Sequence, residues 1–195
     1  MNRNNIQTIF EQANGVANTQ YLKEKGVSYY HINQLLEAAQ IIKIKQGLYK
    51  WADFETDELV EVAHIVPKGV LCLFTACNYY ELTTFVSSEY HVAIPDEHKI
   101  VLPDYPPIKL YYWNTIPYNL GITTVLLNEK PVKIYNIEKT VCDVVRHRNK
   151  VGFDIVKEVF KNYLQKKNRN LSQLNIYAKA LNIHNIIHEF INILV

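Results

Sequence analysis

The sequence predicts an α+β protein in two parts, a small basic N-terminal domain over residues 1–54 and a larger C-terminal domain over residues 57–195. Three observations support this. Apolar residues recur at helical spacing near the N-terminus and then alternate with basic ones. An acidic and polar segment follows at residues 51–56, before several β-rich runs. Helical spacing returns from Ile137 onward, which predicts a small antiparallel sheet followed by a helical bundle.

The composition is that of a globular protein. Apolar residues make up 48% of the chain and charged residues 21%, so a core can form and disorder is not expected. No run approaches the roughly eighteen uncharged apolar residues of a membrane span, and the N-terminus lacks the pattern of a secretory signal. We therefore expect a cytoplasmic protein that does not associate with membranes.

The cysteines do not predict a metal or disulfide framework. The chain has three cysteines, an odd number: Cys72, Cys77 and Cys142. None has C-x-x-C spacing, and each lies among apolar residues. Buried free thiols are the expectation, and we predict no metal site and no cofactor.

Three short helices are predicted within the first forty or so residues. The first ends at Gly15, the second begins at Asn18 or Thr19 and ends at Gly26, and the third is capped by Ser28. The apolar stripe of the third helix consists of Ile32, Leu35, Leu36 and Ala39. Two helices around a glycine-bearing turn form a helix-turn-helix arrangement, whose second helix enters the DNA major groove.

A basic hairpin follows the third helix. Residues 42–45 and 48–51 alternate apolar and basic side chains, and Gly47 can adopt the positive φ of a two-residue turn. Together with the helices, the hairpin predicts a winged helix-turn-helix domain. We expect two isoleucines to pack on the helices and two lysines to point outward: Ile42 and Ile44 inward, Lys43 and Lys45 outward.

Polar side chains remain for the outward face of the third helix. Asn and Gln can make bidentate contacts to adenine, while Ser and Tyr hydroxyls reach phosphates or base edges. Since no arginine stands in this row, we expect a preference for A·T-containing sites; the hairpin lysines add affinity without sequence preference. The predicted DNA contacts are Ser28, Tyr29, Tyr30, Asn33, Gln34, Lys43 and Lys45.

The charge distribution favours an anionic partner at the N-terminus. Residues 1–50 hold six Lys or Arg against three Asp or Glu, a balance of +3, whereas the rest hold fifteen against sixteen, a balance of −1. A winged helix is also a common protein-interaction module, however, and polar helix residues are usually just solvated. Protein interaction without DNA binding therefore stays open as an alternative.

Residues for catalysis are scattered along the C-terminal domain. The candidates are Glu61 with His64, the segment 96–98, and a helix carrying Glu138, Asp143 and His147. No nucleophile triad, phosphate-binding glycine loop or zinc-protease pattern is present. We predict no catalytic residues and no enzymatic activity, with a nuclease-like enzyme as a less favoured alternative.

Basic residues cluster in the predicted C-terminal helices. Arg146, Arg148 and Lys150 form one cluster, which either complements the negative end of a helix dipole or makes a second contact with an anionic partner. The same two explanations apply to a second cluster, and the anionic partner would be flanking DNA or an RNA. This cluster consists of Lys157, Lys161, Lys166, Lys167 and Arg169.

Two segments resemble the AbiEi family, the antitoxins of bacterial type IV abortive-infection toxin–antitoxin pairs. The first is Gly15–Trp51, GVANTQYLKEKGVSYYHINQLLEAAQIIKIKQGLYKW. The matched helix begins at Thr19, which joins the predicted DNA contacts. The second, Tyr135–Arg148, is similar to a Glu-Arg-Thr-x-x-Asp-x-x-Arg helix of the family. Lys139 stands where Arg is more usual, which keeps the charge but loses the planar fork.

The resemblance implies a function. Such antitoxins bind inverted repeats in double-stranded DNA of their own promoter and repress the operon through the winged helix-turn-helix. The C-terminal domain assists repression and neutralises a co-encoded nucleotidyltransferase toxin. The resemblance implies that neutralisation does not depend on a stable complex, so we expect none between antitoxin and toxin.

Overall fold

The computed structural model describes residues 3–194, which form an α+β protein of two compact units. The first unit comprises the chain up to Pro67 together with Ile100–Pro106. The second comprises Lys68–Lys99 and the chain from Pro107 onward. Each unit has its own hydrophobic core.

The first unit contains four helices and three strands in its described part. In chain order they are α1 (Arg3–Gln12), β1 (Val16–Asn18), α2 (Thr19–Glu24), α3 (Tyr29–Glu37), β2 (Ile41–Lys45), β3 (Leu48–Trp51) and α4 (Glu58–Ile65). The strands form a small antiparallel sheet in the order β1-β3-β2. The core consists of Ile6, Ile9, Phe10, Ala17, Leu22, Val27, Ile32, Leu35, Ile41, Tyr49 and Trp51.

Local signals set the bounds of these elements. Asn18 caps α2 by accepting a hydrogen bond from the Tyr21 N–H at 2.8 Å, and Ser28 caps α3. Gly47 has φ 76° in the hairpin turn, a value that favours glycine. The three predicted helices and the hairpin are confirmed. Strand β1, which pairs with β3, was not predicted because three residues carry little periodic signal.

The predicted facing of the hairpin is wrong in part. Ile41 pairs with Trp51 and is buried, whereas Ile42 is 53% exposed. A bulge between Lys43 and Lys45 then shifts the register, so Lys45 is half-buried. Because side chains alternate along a strand, an inward Ile41 turns its neighbour outward.

The first unit extends beyond the predicted domain 1–54. Lys50 of β3 forms an ion pair of 2.8 Å with Glu61 of α4, and Glu61 is buried. The Nζ of Lys45 donates to the Ile65 carbonyl at 2.7 Å. These bonds hold α4, which the sequence assigns to the domain 57–195, against the hairpin.

The second unit contains a five-stranded sheet and seven helices in the described residues. They are β4 (Val70–Leu71), α5 (Leu73–Tyr79), β5 (Tyr90–Pro95), β6 (Ile108–Trp113), α6 (Thr115–Asn119), β7 (Ile122–Leu127), β8 (Lys130–Tyr135), α7 (Ile137–Arg146), α8 (Arg148–Val151), α9 (Phe153–Gln165), α10 (Leu171–Ala180) and α11 (His184–Leu194). The strand order is β6-β5-β4-β8-β7.

This larger sheet is mixed, whereas the sequence predicts an antiparallel one. β5 runs parallel to β6 and β4 runs parallel to β8, while the other pairs are antiparallel. The chain between β5 and β6 spans residues 96–107, too long for a tight hairpin and long enough to return to the same end of the sheet.

Helix α7 lies at the centre of the second unit. Every residue from Ile137 to Val145 is buried, and α5, α9, α10 and α11 all pack against the helix. The predicted helical C-terminal region is confirmed, with α8 as an additional short turn. Gly121 approaches α7 so closely that a Cβ there would lie 2.7 Å from Cβ of Lys139.

The cysteines are buried and free, as predicted. Burial raises the pKa of Cys142 to about 12, so this thiol stays protonated near neutral pH. None of the helices between residues 3 and 194 combines the length and apolar character that crossing a membrane requires.

Candidate nucleic-acid interface

One face of α3 is polar and exposed. Tyr29 and Tyr30 are 56% and 68% exposed, and Asn33 and Gln34 are exposed as well. Helical spacing puts these four side chains on the face opposite the buried Ile32 and Leu35. The structure thus brings together the predicted base-contacting residues.

Hydrogen bonds differ along this face. Gln34 Nε2 donates to the Tyr30 hydroxyl at 2.8 Å, which leaves one amide hydrogen and the carbonyl oxygen of Gln34. The Asn33 amide makes no hydrogen bond with other residues in the described chain, so its donor and acceptor are both available. Glu37 is exposed on the same face at the C-terminal end of α3 and adds a negative charge there.

The N-terminus of α3 is tied to α2. Ser28 Oγ accepts from the His31 N–H at 3.4 Å and lies 2.9 Å from His31 Nδ1, so its hydroxyl serves as the helix cap. Lys23 Nζ lies 4.1 Å from the centre of the Tyr29 ring. Lys23 was missed by sequence reasoning because only the turn between the helices brings it to α3.

Thr19 is a positioning residue in this structure. Its N–H and Oγ both donate to the Gly47 carbonyl, at 2.9 Å and 3.3 Å. These bonds connect the start of α2 to the hairpin turn. The side chain is half-buried and its hydroxyl proton is already used.

The two hairpin lysines have different surroundings. Lys43 is exposed and makes no ion pair or hydrogen bond with the rest of residues 3–194. Lys45 is half-buried, donates to Ile65 in α4, and has its pKa lowered by burial. Lys43 is therefore available to an anionic partner, while Lys45 does not point freely outward as predicted.

The net charge of the first unit is negative. It holds six Lys or Arg against nine Asp or Glu, a balance of −3. The +3 excess of the first fifty residues is outweighed because six further carboxylates belong to the same unit: Asp53, Glu55, Asp57, Glu58, Glu61 and Asp104. Attraction to an anion must therefore come from local cations on the exposed surface, namely Lys23, Lys25 and Lys43.

The residues weighed as catalytic candidates in the sequence are engaged by other partners. Glu61 pairs with Lys50, while His64 Nδ1 lies 2.9 Å from the Val60 carbonyl. His147 Nδ1 lies 2.9 Å from the backbone carbonyl of Asp143 and not beside its carboxylate. Across the described part of the chain, no three His, Cys, Asp or Glu side chains are grouped to hold a metal ion.

A buried ion pair occupies the centre of α7. Lys139 Nζ lies 2.7 Å and 2.6 Å from Oδ1 and Oδ2 of Asp143, and neither side chain has exposed surface. The same Nζ lies 4.4 Å from the ring centre of Trp113 and 4.1 Å from that of Tyr135. Burial raises the pKa of Asp143 to about 6, because the carboxylate loses its hydration.

Other polar residues of α7 bind the scaffold. Glu138 Oε1 accepts from the Asn170 N–H at 3.0 Å and from the Tyr163 hydroxyl at 3.3 Å. Thr140 Oγ donates to the Asn136 carbonyl at 2.9 Å. Both side chains are buried and engaged by internal partners, so they form no open site.

The residues of the predicted second anionic contact differ in exposure. Arg146 and Lys150 are exposed and form no ion pair within residues 3–194. Arg148 is half-buried and donates to the Val145 carbonyl at 3.3 Å, where it completes the end of α7.

Comparisons with known proteins give limited similarity. No protein-family model matches the sequence, and no curated protein matches it. Among solved structures, the Rv2827c protein from Mycobacterium tuberculosis is similar at 10% identity and a TM-score of 0.49. That similarity covers 92% of this chain and 75% of the other. The candidate interface is therefore assigned from the side chains of α3 and the hairpin.

Proposed function

We propose that the first unit is a winged helix-turn-helix domain that binds double-stranded DNA, with α3 in the major groove and the β2–β3 hairpin as the wing. The observation that carries this proposal is the exposed polar face of α3, on which the Asn33 amide has no hydrogen-bond partner among the described residues. Exposed polar residues of this kind contribute little to folding, so they are available for recognition.

The contacts divide into two classes. Asn33 and Gln34 read base edges with a preference for adenine, and Tyr29 and Tyr30 contact bases or backbone beside them. Lys43 and Lys23 bind phosphates. The remaining predicted DNA contacts instead make internal hydrogen bonds that position the helices and the hairpin: Thr19, Ser28 and Lys45. Since Glu37 would repel phosphate, the contacts come from Tyr29 to Gln34 and not from the C-terminal end of α3.

The wider proposal rests on the resemblance of residues 15–51 and 135–148 to AbiEi antitoxins. In it, the chain is a cytoplasmic, non-enzymatic antitoxin that represses its own operon by binding inverted repeats in the promoter. The second unit neutralises a co-encoded nucleotidyltransferase toxin without a stable complex. No cofactor is required.

One observation favours a different function. The balance of −3 on the first unit opposes binding to DNA, and the exposed Tyr29 and Tyr30 also suit a protein surface. A protein-interaction module without DNA binding is therefore the second candidate.

The test is binding of the purified full chain to a promoter fragment from its own operon, measured by fluorescence anisotropy over a salt series. We expect log K to fall linearly with log salt. Asn33→Ala and Gln34→Ala should each reduce discrimination between the promoter and a scrambled duplex by about 5- to 100-fold. Lys43→Ala should weaken both duplexes alike.

Asn185→Ala is the matched control, because Asn185 is an exposed asparagine on a helix of the second unit. It should leave promoter affinity unchanged. If Asn33→Ala and Gln34→Ala behave like this control, the groove assignment is wrong. If the wild-type chain binds no promoter fragment at any salt concentration, the interaction module becomes the better reading.

The antitoxin part has a separate test. Co-expression with the nucleotidyltransferase encoded beside it should restore growth, and the Asn33→Ala/Gln34→Ala variant should still do so when driven from an unrelated promoter. Loss of rescue only in variants of the second unit supports the division of labour. Absence of rescue by the wild-type chain would reject the antitoxin function.

A further inference from the structure

The densest positive charge of the protein lies around α9 in the second unit. Residues 146–169 hold eight Lys or Arg against two Asp or Glu, a balance of +6. The second unit as a whole holds fifteen against ten, a balance of +5, in contrast to the −3 of the first unit. Attraction of this chain to a polyanion should therefore come mainly from the second unit.

Stabilisation of helix ends explains only some of these cations. Arg148 donates to the Val145 carbonyl and Arg169 donates to the Lys166 carbonyl at 3.1 Å, so both complete the chain at helix ends. Dipole effects fade beyond the last turn of a helix, and the last turn of α9 contains no basic residue. Lys157 and Lys161 lie further inside α9, where this explanation fails.

Lys161 is exposed, and Lys157 is half-buried at the edge of the solvent side of α9. They are four residues apart, which aligns them along the helix, and the buried residues of α9 lie on the other side: Val156, Val159, Phe160 and Tyr163. Neither lysine forms an ion pair in the described part of the chain. Lys157 Nζ lies 4.5 Å from the ring centre of Phe153, a ring that is itself 53% exposed.

The acidic residues of this segment do not neutralise the lysines. Glu158 is held by the loop before β5, accepting from Thr83 Oγ at 2.7 Å and from the N–H and Oγ of Thr84 at 2.9 Å. Asp154 is exposed but forms no ion pair with either lysine. Two further cations flank the helix, Lys150 before it and Lys167 after it, both exposed.

We propose that Lys150, Lys157, Lys161 and Lys167, the α9 basic surface, bind the phosphate backbone of double-stranded DNA without sequence preference. Lys157 and Lys161 are separated by about 6 Å along the helix axis, while phosphates of one strand follow every 3.4 Å or so of duplex. The nearby Asn162 amide donates to the Leu82 carbonyl, so it is not available for reading bases. The choice of duplex DNA rests on the proposed function of the first unit, whereas the charge argument does not.

The test uses the full chain and a random-sequence duplex of about 30 base pairs without promoter sequence. Binding is measured over a salt series for the wild type and Lys157→Gln/Lys161→Gln. We expect the double variant to reduce the slope of log K against log salt by roughly 2, since each phosphate contact contributes about 0.9. Affinity near 0.1 M salt should fall about tenfold or more.

Lys130→Gln/Lys133→Gln, in β8, is the control with the same loss of charge, and it should change the slope by less than half as much. Circular dichroism and the melting temperature should be unchanged in both double variants. A slope for Lys157→Gln/Lys161→Gln equal to that of the control overturns the proposal.

Two competition experiments identify which kind of polyanion binds the α9 basic surface. A single-stranded RNA of about 20 nucleotides, or polyglutamate as an acidic polypeptide competitor, should compete less well for labelled chain than the random duplex does. Tighter binding of the RNA would overturn the choice of duplex, and capture of an acidic polypeptide in place of DNA would overturn a nucleic-acid role. If promoter discrimination is absent but the slope still falls in Lys157→Gln/Lys161→Gln, the proposed function fails and this inference stands.

Discussion

Helices α3 and α7 both carry polar side chains, but in opposite environments. In α3, Asn33 and Gln34 are exposed beside Tyr30. In α7, Lys139 and Asp143 have no exposed surface at all. Asp143 was a site candidate in the sequence, as were Asn33 and Gln34, yet only the α3 residues are open to a partner. Burial therefore separates a candidate interface from a folding element here, and residue type does not.

The energetic reason lies in desolvation. A buried charge is costly unless a partner and hydrogen bonds compensate it, so Lys139 and Asp143 are explained by each other and by the rings around them. An exposed amide such as Asn33 needs no partner, because water satisfies it. The polar face of α3 thus has no folding role to account for it, which is why the proposed function begins there.

The largest expected effect tests this division directly. Lys139→Met should lower the free energy of unfolding by about 3–5 kcal/mol, because it leaves Asp143 buried without its counter-charge. Asn33→Ala should change it by less than about 0.5 kcal/mol, as expected for an exposed site. Urea denaturation followed by circular dichroism and by tryptophan fluorescence measures both, since Lys139 lies against Trp113.

A second variant distinguishes the effect of an unpaired buried charge from general misfolding. Lys139→Met/Asp143→Leu removes both charges, and replacement of a buried pair by apolar residues is often close to neutral. We expect it to recover at least half of the lost stability. The contrast between α3 and α7 would be wrong if Asn33→Ala were as destabilising as Lys139→Met, or if Lys139→Met lowered the free energy of unfolding by less than about 1 kcal/mol.

Buried polar groups of the second unit should also make stability depend on pH. His91 is buried in β5 between Ser87 Oγ at 3.1 Å and the Tyr111 hydroxyl at 3.0 Å. Burial lowers its pKa from 6.5 to about 4, and the nearby Lys109 acts in the same direction while Glu89 opposes it. The unfolded chain binds the proton more readily than the folded chain does. The contribution of His91 to stability is therefore fully present above pH 6.5 and is lost as pH falls toward 4.

Full protonation of His91 corresponds to a loss of about 3 kcal/mol. His147 also has its pKa lowered by burial and contributes with the same sign, so the measured quantity is the difference between wild type and His91→Gln. Melting temperatures at pH 7.5 and pH 4.5 should converge more in His91→Gln than in the wild type. Equal pH dependence in the two proteins would mean that His91 is accessible to protons in the folded state.

Local signals predicted the helices and the hairpin well. Asn18, Ser28 and Gly47 act within a few residues of themselves, as caps or in a turn, so their effects can be read directly from the sequence. The exposed face of α3 follows in the same way from the spacing of Ile32 and Leu35. These are the features in which periodicity alone decides the environment.

Features that depend on distant residues could not be predicted. The facing of β2 depends on Ile41 taking a core position and on a bulge, and Lys45 is engaged by a carbonyl of α4 twenty residues later. The charge of the first unit changes sign once its acidic C-terminal stretch is included. The internal partners of Glu138 likewise come from α9 and the start of α10.

The smallest expected effect compares Lys43 with Lys45, two lysines of one strand that repeat the contrast between exposed and engaged groups. Lys45→Met should lower the free energy of unfolding by about 1 kcal/mol, the usual net value of one hydrogen bond, because its bond to the Ile65 carbonyl is lost. Lys43→Met should leave stability within about 0.5 kcal/mol of wild type. In DNA binding the order should reverse, with Lys43→Met reducing the salt slope by roughly 1. If Lys45→Met instead weakens DNA binding as much as Lys43→Met and leaves stability unchanged, the bond to α4 opens in solution and both lysines belong to the interface.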